Sequence, residues 1–195
     1  MKKFNVIWGI LALLLLNGCM MLSNNQYYIL SVASTPTQSY TLSKGIIGVE
    51  KITIPAYLYK RDIAIAQSSS QITLLSNAQW GEDLDTGLTN RLIGYLQKKF
   101  NQPDVYPYPW GVSRQAHIKI SVQISRFIAQ GKHVYLDATW RIEEIQSKKI
   151  KSKLFSSTIP IQSENKEDAT SIVDAMDKAF IALEEQIANG VKHFK

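Results

Sequence analysis

His117-Ile118-Lys119-Ile120-Ser121-Val122-Gln123-Ile124 alternates polar and apolar side chains without a break. A second run repeats the pattern after the turn Gln130-Gly131-Lys132. There Val134, Leu136, Ala138, Trp140 and Ile142 stand on one face, with Tyr135, Asp137, Thr139 and Arg141 on the other. A period of two over this length predicts two long strands joined as a hairpin, in a sheet with one buried and one solvated face. That single apolar face needs a cover.

Two segments can supply it. In residues 80–100 Leu84, Leu88, Leu92 and Leu96, joined by Tyr95, recur every three to four positions, the stripe of an amphipathic helix. Glu82, Asp83 and Asp85 at its start and Lys98 and Lys99 at its end suit the helix dipole, and Pro103 stops it. Residues 167–194 form a longer helix with Ile172, Met176, Phe180, Leu183, Ile187 and Val191 inward, and Ser163 or Asn165 available as a cap. Further strands are expected at 26–32, 46–54, 61–67, 71–75 and 154–161, the third and fourth forming a hairpin about Ser68-Ser69-Ser70. The second has Val49, Lys51 and Thr53 opposite Glu50, Ile52 and Ile54, and Pro55 ends it. The order strands, helix, strands, helix predicts an α+β two-layer sandwich. Its sheet is mainly antiparallel (mixed), with two amphipathic helices packed on one face.

The N-terminus carries an address. Lys2 and Lys3 precede an apolar run over residues 6–16, and Leu16-Asn17-Gly18-Cys19 ends in the only cysteine of the chain. A basic start, a short apolar core and a small residue before cysteine read as a lipoprotein signal, cleaved between Gly18 and Cys19. The apolar run is shorter than the ~20 residues needed to cross a bilayer. The expected division is 1–18 signal peptide, 19–26 acylated tether and 27–195 a single periplasmic domain. Cys19 would carry covalent diacylglyceryl and acyl lipid, including palmitate, and no other cofactor is expected. Met20 follows it, where an Asp would favour inner-membrane retention, so the outer membrane is the expected destination. Loss of Lys2 and Lys3 with the signal lowers the formal charge from +6 to +4. Export and scattered lysines argue against a nucleic-acid partner.

Chemistry is sparse. His117, His133 and His193 lack metal-ligand spacing and are expected at the surface, so no metal site is expected. Glu82-Asp83-x-Asp85 suits a helix start better than a cation site, and Glu143-Glu144 and Glu184-Glu185 read as solvated faces. No Gly-x-Ser-x-Gly elbow or phosphate-cradling loop occurs. No catalytic residue emerges, and the chain does not read as an enzyme. Val105-Tyr106-Pro107-Tyr108-Pro109-Trp110 instead concentrates three aromatics and two prolines, which restricts it to an edge or a rigid extended segment. Tyr106, Tyr108 and Trp110 either close the end of the core or form a contact surface. Trp80 carries the same ambiguity and leans towards the core.

Taken together, Cys19, Tyr27-Tyr28-x-Leu30, Ile54-Pro55-x-Tyr57-Leu58, Trp80 with acids leading into Leu84, Leu88 and Leu92, the aromatic run at 105–110 and Leu136-x-Ala138-x-Trp140 form a pattern. In it the mature chain resembles the PqiC-type auxiliary lipoproteins of ABC-type transport systems, which accompany MCE-domain proteins. It departs at Gly81-Glu82-Asp83-Leu84, where the family often has Ala-Glu-Pro-Leu. The resemblance implies a non-catalytic outer-membrane component of an intermembrane lipid transport system, docking the MCE tube to that membrane. Implied partners are an MCE-domain periplasmic protein and its membrane permease-like subunit, and a homo-oligomeric ring would suit a tube end. Tyr106, Tyr108, Trp110 and Trp80 are the candidate partner contacts. Two alternatives stay open: an outer-membrane assembly lipoprotein supporting a β-barrel, and a lipid-handling enzyme or carrier.

Overall fold

The computed structural model describes residues 25–41, 45–109 and 115–194. Gly18, Cys19 and Trp110, and with them the signal, its cleavage point and most of the tether, lie outside the described residues.

The paired strands of the opening motif are the longest in the sheet. Ile118–Gln130 (β6) and His133–Glu144 (β7) run antiparallel from Ile118↔Glu144 to Gln130↔His133. Gly131 adopts φ +62 in the turn, a conformation glycine takes at little cost. A register shift between Ile124 and Arg126 moves the phase by one residue. Ile118, Ile120, Val122 and Ile124, then Phe127 and Ala129, therefore all stay on the covered face. Ile150–Pro160 (β8) continues the sheet beyond β7 and starts four residues earlier than the pattern predicted.

On its other side β6 serves two strands in succession. Ile47–Glu50 (β2) pairs parallel with Ile118 to Ile120, and Asp62–Ala66 (β3) pairs parallel near Ala129. Val105–Tyr108 (β5) adds outside β2 in parallel. Ile72–Trp80 (β4) forms the expected hairpin with β3 and runs on past residue 75. Gln26–Tyr28 (β1) pairs parallel with the end of β4. Among the described residues the result is one mixed eight-stranded sheet, whose long pairings are antiparallel.

Leu84–Phe100 (α1) and Ala169–Lys192 (α2) cover one face. Leu88, Leu92, Leu96 and Phe100 meet Phe180, Leu183, Ile187 and Val191 over Trp140, all essentially without solvent contact. Asn101 ends α1 at φ +48, where its N–H and that of Gln102 take the last carbonyls of the helix.

Four expectations change. β1 covers three residues rather than 26–32, because the chain leaves the sheet after Tyr28 and crosses the helices. The second strand ends at Glu50, and the phase flips beyond it: Val49, Ile52 and Ile54 all reach the core. Residues 80–83 belong to β4 and the turn after it, so α1 begins at Leu84. Ser163 and Asn165 do not cap α2. They accept backbone N–H groups of Asn165 and Glu167 in the approaching turn, while Asp168 holds the N-cap position and takes the Ser171 hydroxyl at 2.7 Å.

Candidate interaction site

β5 is an outer strand, as its prolines require. Its register places Tyr106 beside Gly48 and Tyr108 beside Glu50. The neighbours Ile47 and Val49 face the helices with no exposure, so the two tyrosines stand on the opposite, open face of the sheet. Val105 points the other way and closes the end of the core. Tyr106 is 38% exposed and donates its hydroxyl to Asp104 at 3.0 Å. The Lys119 ammonium lies 5.9 Å from the Tyr108 ring centroid.

A ladder of charge continues inward from that edge. Lys119 reaches Glu50 at 3.5 Å and Glu143 at 3.2 Å, and Arg141 reaches Glu143 at 3.5 Å. Burial by itself would lower Lys119, yet the hydrogen bonds and charge of Glu143 and Glu50 raise it above the ordinary lysine value. A polar depression of about 480 Å³ beside this ladder includes Lys51, Gln123, Thr139 and Arg141. The arrangement presents aromatic anchors at one edge and fixed, alternating charges behind them. That combination suits recognition of another protein.

Trp80 has a different place. It is 2% exposed at the end of β4, which assigns it to the core rather than to a contact surface. The acids after it separate. Asp83 meets Arg61 at 3.4 Å, and Asp85, 4% exposed, is held by Lys51 at 2.7 Å. The three histidines are exposed, and among the described residues no group of His, Cys, Asp and Glu is arranged to hold a metal.

Glu184 overturns the expectation of a solvated face. It has no exposure and faces Arg91, itself 1% exposed, across the two helices. Arg91 donates from Nε to Glu184 Oε1 at 3.1 Å, from Nη2 to Oε2 at 3.4 Å, and from Nη1 to Asp177 at 2.5 Å. The Phe180 ring lies against the guanidinium at 5.3 Å, and Ser34 donates to Glu184 Oε2 at 3.2 Å. Burial pushes the Glu184 carboxyl up to about 7, against the opposing pull of Arg91 and Ser34. Glu185 is also engaged, by Lys99 at 2.9 Å. The signal was present in the spacing. Arg91 lies three residues after Leu88 and four before Tyr95, and Glu184 four after Phe180 and three before Ile187. Each interrupts its own helix's apolar stripe, and opposite charges on facing stripes mark a buried pair.

No helix among the described residues is long and apolar enough to cross a membrane. The model of the ABC-type transport auxiliary lipoprotein component family matches residues 28–188. The chain is 33% identical over 125 residues to the intermembrane transport lipoprotein PqiC of Escherichia coli (strain K12), and equally to that of Shigella flexneri. In both cases the match takes in 63% of this chain and 64% of the relative, so it spans under two thirds of the curated proteins' length. A crystal structure of a Xanthomonas campestris protein superposes with a TM-score of 0.69 at 13% identity, covering 84% of this chain and 92% of that one. A second crystal structure, of an uncharacterised protein, gives the same TM-score at 16% identity, covering 86% and 99%. These two likenesses concern the fold.

Proposed function

The chain belongs to the ABC-type transport auxiliary lipoprotein family, and on that premise, and its similarity to the PqiC lipoproteins, we propose that it docks an MCE-type transport assembly to the outer membrane. In this reading Cys19 is acylated and holds the domain on the periplasmic face of that membrane. The domain performs no catalysis. An MCE-domain protein is its partner, with a permease-like subunit completing the system. The observation that carries the docking role is the outer strand β5, which turns Tyr106 and Tyr108 onto an open sheet face backed by the Glu50–Lys119–Glu143 ladder. Trp110 follows in sequence and is taken as part of the same contact.

The test is affinity capture of the acylated protein from its native membranes after mild crosslinking, with partners identified by mass spectrometry. The expected result is an MCE-domain protein, captured at least tenfold less by the double variant Tyr106→Ala, Tyr108→Ala while the domain keeps its unfolding midpoint. A β-barrel as the sole specific partner would refute the docking role and assign the protein to outer-membrane assembly.

A further inference from the structure

Tyr27, Ile29 and Val32 are 65%, 51% and 68% exposed, three large apolar side chains within six residues at the start of the described chain. The neighbours of the first two fix them outward. Tyr28 turns to the helix side, where its hydroxyl shares a 3.0 Å hydrogen bond with Thr170, and Leu30 is 3% exposed in the core. Tyr27 and Ile29 are thereby turned away from the core. The patch is also built against rigid backbone. Gly81 donates its N–H to the Tyr28 carbonyl at 2.8 Å, and a Cβ on Gly81 would stand 3.2 Å from Ile29 Cγ2. Ile29 thus rests its Cγ2 against the Gly81 backbone.

The sequence around the patch is unusual in charge. Residues 19–43 contain no Asp, Glu, Lys or Arg, where a stretch of that length at the chain's 19% would hold about five. Met20, Met21 and Leu22 add apolar groups between Cys19 and the patch. From Cys19 to Tyr27 the chain can reach at most about 27 Å, at ~3.4 Å per residue. β1 is an outer strand, and β8 lies at the opposite edge, five strand spacings or roughly 24 Å away. An anchor at Cys19 keeps the β1 edge within about 27 Å of its membrane, a reach as long as the sheet is wide, so the edge that faces the membrane is set by contact rather than by the tether.

We propose that Tyr27, Ile29 and Val32 form a membrane-contacting surface whose ligand is the phospholipid headgroup–acyl boundary beneath the anchor. The inference rests on the acylation of Cys19 given under the proposed function. The segment itself brings no ion to desolvate, the Lys98 ammonium on the Ala33 carbonyl beside Val32 suits an anionic headgroup, and tyrosine is at home at headgroup depth. Contact there fixes the domain's orientation as well as its distance, and directs the β8 edge away from the membrane.

The experiment uses the mature acylated chain in phosphatidylethanolamine–phosphatidylglycerol vesicles. Lipidation occupies the Cys19 sulfur, so Val32→Cys and Leu154→Cys each provide one thiol for a bimane fluorophore. Leu154 is 81% exposed on β8 and serves as the distant reference. Nitroxide-bearing lipid is the quencher. The expected result is quenching at position 32 at least threefold stronger than at 154, reduced towards the reference by Tyr27→Ser with Ile29→Ser. Equal quenching at the two positions, in protein that floats with the vesicles, overturns the contact and leaves the anchor standing. Shielding of position 32 from water without lipid quenching assigns the patch to a protein and overturns the proposal too. Failure to float overturns the anchor and the contact together.

Discussion

Replacing Arg91 by Met tests how the two helices are held together. The variant keeps much of the side-chain volume and removes a guanidinium with 1% exposure, leaving Glu184 fully buried with only the Ser34 hydroxyl still donating to it. Breaking a buried pair by removing one partner costs about 3–5 kcal/mol, because the other charge is left uncompensated. Glu184 can escape by protonating, and that route sets a pH dependence. Relative to an unfolded carboxyl at the ordinary 4.5, holding it neutral costs about 1.4 kcal/mol for each pH unit above that value. Because the native chain also holds Glu184 neutral up to about pH 7, the loss in the variant should stay at about 1–2 kcal/mol from pH 5 to 7, where mainly packing against Phe180 is missing, and grow to roughly 3 kcal/mol at pH 8. Urea unfolding at pH 5, 6, 7 and 8, followed by circular dichroism, measures it. The double variant Arg91→Met, Glu184→Leu should recover to within about 1–2 kcal/mol of the native chain at pH 8, since apolar residues of similar volume replace buried ion pairs well. A loss that does not vary with pH, or a double variant no better than the single, would refute the reasoning.

The native chain has its own pH signature. Because the folded pKa of Glu184 is raised above the unfolded one, the folded state binds the extra proton between about 4.5 and 7. This contribution is full below that window and is lost as pH rises through it, amounting to roughly 3 kcal/mol, and Glu184→Gln should flatten that slope in the same titration. Gly190→Ala should destabilise by about 1–3 kcal/mol despite alanine's better helix propensity, since its Cβ would stand 2.6 Å from Trp140 Cη2 and 3.0 Å from Ile142 Cδ1; a raised thermal midpoint would contradict that packing. Trp80→Ala should cost about 3–5 kcal/mol, as deletion of a fully packed aromatic does, whereas Leu154→Ser on the outer strand should stay within about 0.5 kcal/mol in the same assay.

The sheet was legible where burial alternated cleanly. β6 and β7 have one buried and one solvated face along nearly their full length, so the period of two is strong enough to give strand, face and turn from residues alone. The stripes of α1 and α2 were equally readable, and so was β5 as an outer strand through its prolines. Legibility failed where two burial demands meet in a few residues. Past Glu50 the chain ends one pairing, and Thr53 then bridges to Gln123, so the apolar phase flips between Val49 and Ile52 and a continuous alternation misleads. It failed again at Glu184, read as a solvated face, and at Asp85, read as a helix-start charge, because a buried charge shows itself only once its partner is known, and each partner comes from another element. The aromatic edge was readable as a choice between core and contact. The structure divides the choice residue by residue, with Val105 and Trp80 inward and Tyr106 and Tyr108 on the open face.

The most direct measurement of the docking role is photocrosslinking from position 106 in living cells, with p-benzoylphenylalanine in place of Tyr106 and, as reference, in place of Leu154. Docking through β5 predicts an adduct with an MCE-domain protein from position 106 and none from 154. An adduct from 154 alone, or one from 106 to a β-barrel and never to an MCE protein, would contradict it.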